Sequence, residues 1–148
     1  MHHKLHTKAA KALTASLLAT ALTGALAAEP AAENAEMPAP NPAAEKALQQ
    51  HFQNLFKAFD GKGALPEASK FSEDFNKQVT REQMTEVFKQ VRQSVGACKI
   101  TASERSPISY VKGYLLDCEK AYVPMEIAVE EKAPYRVHSL LIRPGYWK

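Results

Sequence analysis

The hexapeptide VGACKI, residues 95–100, contains the change of period that decides the fold. Before Gly96, apolar residues recur every three or four positions, which is typical of an amphipathic helix. After it, Cys98, Ile100 and Ala102 alternate with polar residues, as in a strand with one buried face. The sequence therefore predicts a helical first part and an extended second part.

The helix that ends at this point is predicted over 81–95. Thr80 and Gln83 have the spacing of a capping box, in which each side chain bonds the backbone N–H of the other residue. Gly96 suits the left-handed conformation that commonly follows a helix. The apolar residues of the segment share one face, which is expected to pack inward: Met84, Val87, Phe88, Val91 and Val95.

Further towards the N-terminus, a longer helix is predicted over 42–60. It begins after Asn41, a good N-cap residue, with Pro42 at the first helical position. Its apolar face is rich in phenylalanine and leucine, which indicates packing against a core. Residues 64–79 are less regular, and we expect short helical turns there, one of them capped by Ser72.

Four strands are predicted after Gly96, separated by short turns: 98–104, 108–118, 121–129 and 135–142. Gly113 suggests a bulge in the second strand, and Pro124, which has no N–H to donate, suggests an edge or a free side for the third. Short connections favour antiparallel neighbours. Helices followed by a meander predict an α+β fold, with two to three helices packed on one face of a four-stranded antiparallel sheet.

The two cysteines, Cys98 and Cys118, are predicted to form a disulfide bond. Their midpoint is Ile108, beside the break at Pro107, so a hairpin of the first two strands places them opposite each other. A non-hydrogen-bonded pair brings two Cα atoms to about 4.5 Å, which suits a disulfide. The alternative, a redox-active pair, has no C-x-x-C spacing to support it.

The N-terminus has the pattern of a secretory signal peptide over 1–27, with three lysines, a short apolar run and a small-residue exit. A membrane anchor is the rival interpretation, but the run is short and rich in Ala and Thr. We therefore expect a periplasmic or secreted protein with no membrane span after cleavage. Residues 28–41, rich in Ala, Pro and Glu, are predicted to be a flexible linker, and 42–148 a single domain.

Charge argues against a nucleic-acid partner. The full chain has 19 Lys and Arg against 16 Asp and Glu, but three of the lysines and none of the acids lie in the predicted leader. The rest of the chain is balanced, so no basic surface for nucleic acid is indicated.

Motifs for catalysis are missing from the sequence. Outside the leader the histidines are His51 and His138, and a metal site needs three or four convergent ligands. No such spacing is present, so we expect neither a metal nor a cofactor. Glu126 and Tyr114 have the residue types of a base and an oxyanion donor in an isomerase, but alternation directs Glu126 away from the core.

Two strands are apolar on both faces, which a sheet with one wet face does not require. In VHSLLI, Val137 and Leu141 are predicted on one face and Leu140 and Ile142 on the other, and strand 108–118 behaves similarly. A second covering layer is therefore expected: a second copy of the chain, a partner, or the C-terminal tail GYWK. The residues expected to contact a ligand or a partner are Tyr110, Tyr114, Leu140, Ile142, Tyr146 and Trp147.

Three stretches support a family resemblance: FSEDFNKQVTREQMTEVFKQVRQSVG (71–96), VPMEIAVEE (123–131) and RVHSLLIRPG (136–145). With the order of elements, they resemble the cystatin-like α+β fold, in particular small secreted bacterial domains of the nuclear transport factor 2-like superfamily. The resemblance implies a cone-shaped cavity between helices and sheet, which relatives use for small ligands, isomerase-type chemistry or dimerisation alone. The Q-x-V-x-G loop of true cystatin inhibitors has no counterpart, because QSVG (93–96) is one residue short and lies in a predicted helix.

Taken together, these observations predict an exported, non-catalytic domain that binds a small ligand or another protein. The expected partners are a second copy bound through the sheet face, a cell-envelope protein, or a small apolar ligand. The alternative is an isomerase- or hydratase-like enzyme that uses the cone-shaped cavity.

Overall fold

The computed structural model describes residues 37–104 and 106–148. The predicted signal peptide (1–27) and the part of the predicted linker up to residue 36 lie outside the described residues. Of the remaining linker residues, 37–40 are exposed and have no regular secondary structure, whereas Asn41 is partly buried and caps α1.

The predicted helical first part is confirmed. It contains α1 (Pro42–Phe59), α2 (Glu73–Gln78) and α3 (Arg81–Val95), with one 3-10 turn at Ala68–Lys70 before α2. Among the described residues, no helix combines the length and the apolar character that crossing a bilayer requires.

Side chains fix the start of each helix, as predicted. The Asn41 side chain accepts a hydrogen bond from the backbone N–H of Ala44 at α1. Ser72 does the same for α2. Thr80 and Gln83 form the complete capping box of α3. These caps satisfy N–H groups that have no partner inside the helix.

Five strands follow α3, and each is antiparallel to its neighbours: β1 (Cys98–Glu104), β2 (Val111–Cys118), β3 (Ala121–Val129), β4 (Val137–Ile142) and β5 (Tyr146–Trp147). The first four form a meander in chain order, and β5 pairs with β3 beyond the end of β4. The predicted α+β fold is therefore confirmed. The fifth strand, formed by the tail, is not expected from the sequence.

The core lies between the helices and one face of the sheet. From α1, four side chains are at most 2% exposed: Leu48, Phe52, Leu55 and Phe59. The sheet contributes side chains that are equally buried: Leu116, Val123, Met125 and Ile127. The Phe52 ring stacks on that of Tyr114, with centroids 3.5 Å apart. Burial of each large apolar side chain contributes about 2 kcal/mol, so these contacts hold α1 on the sheet.

Cys98 and Cys118 form the predicted disulfide bond. They are direct partners in the register of β1 and β2, with Cα atoms 3.9 Å apart. The backbone N–H of Glu119 donates to the carbonyl of Ala97, so the cysteine pair next to it is non-hydrogen-bonded, as expected.

The sheet contains two bulges, and neither lies at Gly113. This glycine keeps a regular register between Glu104 of β1 and Glu126 of β3, so the predicted bulge is wrong. The register shifts instead at Thr101 in β1 and at His138 in β4. A bulge needs a residue that the partner strand leaves unpaired, and this depends on the neighbouring strand rather than on a local glycine.

Pro124 lies in β3, which is an inner strand. Its carbonyl accepts a hydrogen bond from the N–H of Arg143, just after the end of β4. The missing N–H of Pro124 faces the same side, where β4 has ended and β5 has not begun. The predicted free side is therefore a gap between two short strands.

Candidate functional site

The bulge in β4 changes which of its side chains face the helices. Val137 pairs with Val129, and after the unpaired His138 the register continues with Leu140 opposite Ile127 and Ile142 opposite Met125. Val129, Ile127 and Met125 all belong to the buried core. Val137, Leu140 and Ile142 therefore share the helix-covered face.

This arrangement corrects the predicted division of the strand. Val137 and Leu141 were expected on one face, but only Leu141 and Ser139 point to the helix-free face, opposite Glu126 and Ala128. Leu141 is 41% exposed. The extra residue shifts the alternation by one position. Most of the apparent second apolar face of β4 is therefore on the core side.

Leu140 and Ile142 line an open groove between α3 and β4, which we call the α3–β4 groove. Its volume is about 590 Å³. Its apolar walls include Val79, Met84, Val87, Phe88, Leu140 and Ile142. Val87 is 47% exposed, although it lies on the apolar stripe of α3. Polar side chains complete its lining: Gln78, Gln83, Glu86 and Gln90. The groove is thus accessible, and its apolar walls continue the core outward.

The groove borders the outer edge of the sheet, because β4 is the last strand of the meander. At the start of β4 the edge is covered, since the N–H of Ser72 donates to the carbonyl of Val137. Arg143 directs its N–H towards β3. By strand alternation, Ile142 and Leu140 direct theirs away from β3, along the part of the edge where no described residue bonds them, which we call the uncovered part.

The two edges of the sheet differ in protection. The edge strand β1 contains Lys99 and Glu104 in addition to its bulge. The segment 139–142 of β4 contains neither a charged residue nor proline. Charges, proline and bulges are the usual means by which an edge strand avoids pairing with another chain. β4 also has a bulge, at His138, and it is followed by Arg143 and Pro144, but its uncovered segment 139–142 contains no charge and no proline.

The other predicted contact residues lie elsewhere. Tyr114 is in the core, and its hydroxyl has no hydrogen-bond partner among the described residues; burial raises the pKa of this hydroxyl. Tyr110 is partly buried, and burial together with the carboxylate of Glu131 raises its pKa. Neither tyrosine lines the α3–β4 groove.

The tail does not cover the helix-free face. Tyr146 pairs with Tyr122 and Trp147 with Ala121, so β5 extends the sheet in its own plane. Both aromatic side chains of β5 are 69% exposed. The interpretation of GYWK as a covering layer is therefore wrong, because the tail adds a strand beside β3 instead of packing across it.

The residues considered for isomerase chemistry do not meet. Tyr114 pairs with Met125 on the core side of the sheet, whereas the next residue of β3, Glu126, points to the opposite face, where it forms an exposed ion pair with Arg143 at 3.5 Å. Among the described residues the one buried carboxylate is that of Asp60, which is paired with Lys62 and with a guanidinium of α3. The core positions between α1 and the sheet are filled by large apolar side chains.

One polar contact was not expected from the sequence. Nδ1 of His138, in the β4 bulge, lies 3.4 Å from the Ser72 hydroxyl. Ser72 is buried, and its oxygen already accepts the N–H of Phe75 as the cap of α2. The bulge at His138 becomes evident only when the register of β4 against β3 is known. Because Ser72 and His138 are 66 residues apart, the sequence did not indicate that they are in contact.

The described residues contain no group of three or more His, Cys, Asp and Glu side chains that could hold a metal ion. No family model matches the chain, and neither a curated protein nor a solved structure matches it. The resemblance to the nuclear transport factor 2-like superfamily stays a prediction, and the α+β architecture is the part of it that the structure has in common.

Proposed function

We propose that this protein is an exported, non-catalytic interaction domain that binds an extended polypeptide segment along β4. The observation that supports the proposal most directly is the uncharged, uncovered edge of segment 139–142 beside the α3–β4 groove. An added strand would satisfy the outward backbone groups of Leu140 and Ile142. Its alternate side chains would enter the groove. When a peptide extends a sheet, the main-chain hydrogen bonds usually provide affinity and the side-chain contacts provide specificity.

The shape of the groove favours a segment of protein over an enclosed small ligand. Sites for small molecules bury most of the ligand in a concave cavity. The α3–β4 groove is instead open and runs beside a free strand, with Val87 and Ile142 on opposite walls. An extended segment can use both the backbone edge and the apolar wall at once.

Export is supported by two features of the chain. The Cys98–Cys118 disulfide is of a kind that persists outside the reducing cytosol. The pattern over residues 1–27 is that of a leader. We place the interaction in the periplasm or in the medium on these grounds.

Selection from a displayed peptide library on the immobilised, purified protein tests the proposed function. We expect selected peptides with apolar residues at alternate positions, and we expect Val87→Glu to weaken their binding at least about tenfold, equivalent to one charge placed in an apolar contact. Ile100→Glu is the matched control, because Ile100 is an exposed apolar residue on the opposite edge strand. Equal binding of the selected peptides by both variants would contradict the proposal, and so would the absence of selected peptides from a protein that is monomeric.

A further inference from the structure

We infer that the segment bound along β4 is β4 of a second copy of this chain, antiparallel to the first and related to it by a two-fold axis at Leu141. This inference rests on the proposed function, since it names the occupant of the same edge. It differs from a dimer through the sheet face, because the two sheets would join edge to edge into one continuous sheet.

The register follows from the outward backbone groups. Leu140 and Ile142 carry the free N–H and C=O groups, so an added antiparallel strand must present its own outward residues opposite them. Three self-complementary registers meet this condition, centred on Leu140, on Leu141 or on Ile142. They differ in what lies at the ends of the paired segment.

Two of these registers are unfavourable. Centring on Ile142 places Leu140 opposite Pro144 of the second copy, which has no N–H to donate. Centring on Leu140 extends the pairing to the start of β4, where Ser72 already bonds Val137. Centring on Leu141 pairs each outward residue with another outward residue and stops before both obstacles.

The central register is also complementary in side chains. Leu140 lies opposite Ile142 of the second copy on the groove side, and this contact occurs twice. Leu141 lies opposite its own equivalent on the helix-free face. Ser139 lies opposite Arg143, so no two like charges face each other. An all-apolar centre with polar ends is the usual composition of an interface.

Interchain disulfide formation tests the register directly. In the proposed pair the two Leu141 residues form a non-hydrogen-bonded pair with Cα atoms about 4.5 Å apart, so Leu141→Cys should oxidise to a covalent dimer. Ser139→Cys is the matched control on the same face. Its two copies would be about 13 Å apart, four positions along the strand, and should not cross-link. The native cysteines do not interfere, because they are bonded to each other.

Sedimentation of the purified protein measures the oligomeric state without an introduced cysteine. We expect the fraction of dimer to rise with protein concentration over the range up to about 1 mM. Leu141→Lys, which places two ammonium groups at the axis, should remain monomeric, whereas Leu141→Ile should still dimerise. Leu141 is exposed, so these variants should fold, which circular dichroism can verify.

Each outcome decides between the proposals. The proposed dimer is overturned if the protein stays monomeric at all concentrations. Its register is overturned if the Ser139→Cys variant cross-links as fast as Leu141→Cys. If peptides are still selected by the groove in that case, the interaction function stands and the partner is a different protein. If neither peptides nor a dimer are found, both proposals fail.

Discussion

The carboxylate of Asp60 lies 3.1 Å from Nε of Arg92, and this ion pair joins the C-terminal ends of α1 and α3. Lys62 forms a second ion pair with the same carboxylate, and the backbone N–H of Cys98 donates to it over 3.4 Å. The Asp60 side chain is fully buried, whereas those of Lys62 and Arg92 reach solvent. One carboxylate therefore connects two helices with the first residue of β1.

Replacement of this carboxylate by an amide should destabilise the fold. Asp60→Asn keeps the shape but removes the charge, so Arg92 loses its partner and the hydrogen bond from Cys98 weakens. We expect the free energy of unfolding in urea to fall by about 2 kcal/mol. Asp74→Asn is the matched control, since Asp74 is exposed and its one ion pair with a described residue is with Lys77 on the same helix. Its effect should stay within about 0.5 kcal/mol, and equal losses would contradict the role of Asp60.

The same group predicts a pH dependence. Burial alone would raise the pKa of Asp60, but the hydrogen bonds from Lys62 and the Cys98 N–H, with the charges of Lys62 and Arg92, hold the pKa below its ordinary value of 3.8. The unfolded state then binds the proton more readily, so this stabilisation is fully present above about pH 4 and is lost as the pH falls through the folded pKa.

The measurement is the difference in unfolding free energy between the wild-type protein and Asp60→Asn at several pH values. We expect it to be constant from about pH 7 to 5 and to shrink below about pH 4. A difference that stays unchanged into strong acid would show that the charge of Asp60 does not contribute.

Gly96 should be intolerant of any side chain, for two reasons. Its φ of +83° with ψ of −164° is accessible essentially only to glycine, and an added Cβ would lie 2.8 Å from Cβ of Glu119, which is too close for two such atoms. Gly96→Ala should therefore lower the unfolding free energy by about 3 kcal/mol. Gly61→Ala is the control, with a φ of +72° but open space around it, and should lose about 1 kcal/mol. Similar losses in both would mean that neither the extended ψ of Gly96 nor the side chain of Glu119 is restrictive.

Much of the fold was predictable because its determinants are local. The caps at Asn41, Ser72 and Thr80 and the period change at Gly96 act over a few residues, and they place the helix boundaries correctly. The disulfide was predictable for a related reason, since a short hairpin leaves few registers open. The left-handed cap at Gly96 is correct in the sign of φ, although its ψ is extended.

The candidate site was only partly predictable, because it depends on contacts between distant segments. Leu140 and Ile142 were expected at an interface, but on the face opposite Val137, since alternation in one strand cannot show an unpaired residue such as His138. Val87 has the spacing of a core residue, but the way α3 packs leaves its side chain 47% exposed. Burial of Asp60 likewise depends on α1 and α3 ending side by side.

The bulge at His138 can be tested through the stability of two neighbouring leucine variants. Leu140 packs against the core on the helix-covered face, whereas Leu141 is exposed on the other. Leu140→Ala should therefore lower the unfolding free energy by about 1.5 kcal/mol, and Leu141→Ala by about 0.5 kcal/mol or less. The measurement is made at about 1 μM protein, so that association of two copies does not add to either value.

The comparison is decisive because uninterrupted alternation from the buried Val137 reverses the order. Without the bulge, Leu141 would share the inner face with Val137, and its truncation would leave the larger cavity. A greater loss of unfolding free energy for Leu141→Ala would therefore show that β4 has no bulge at His138. In that case the backbone groups of Leu140 and Ile142 would not point outward, and the register inferred for two joined sheets would be wrong.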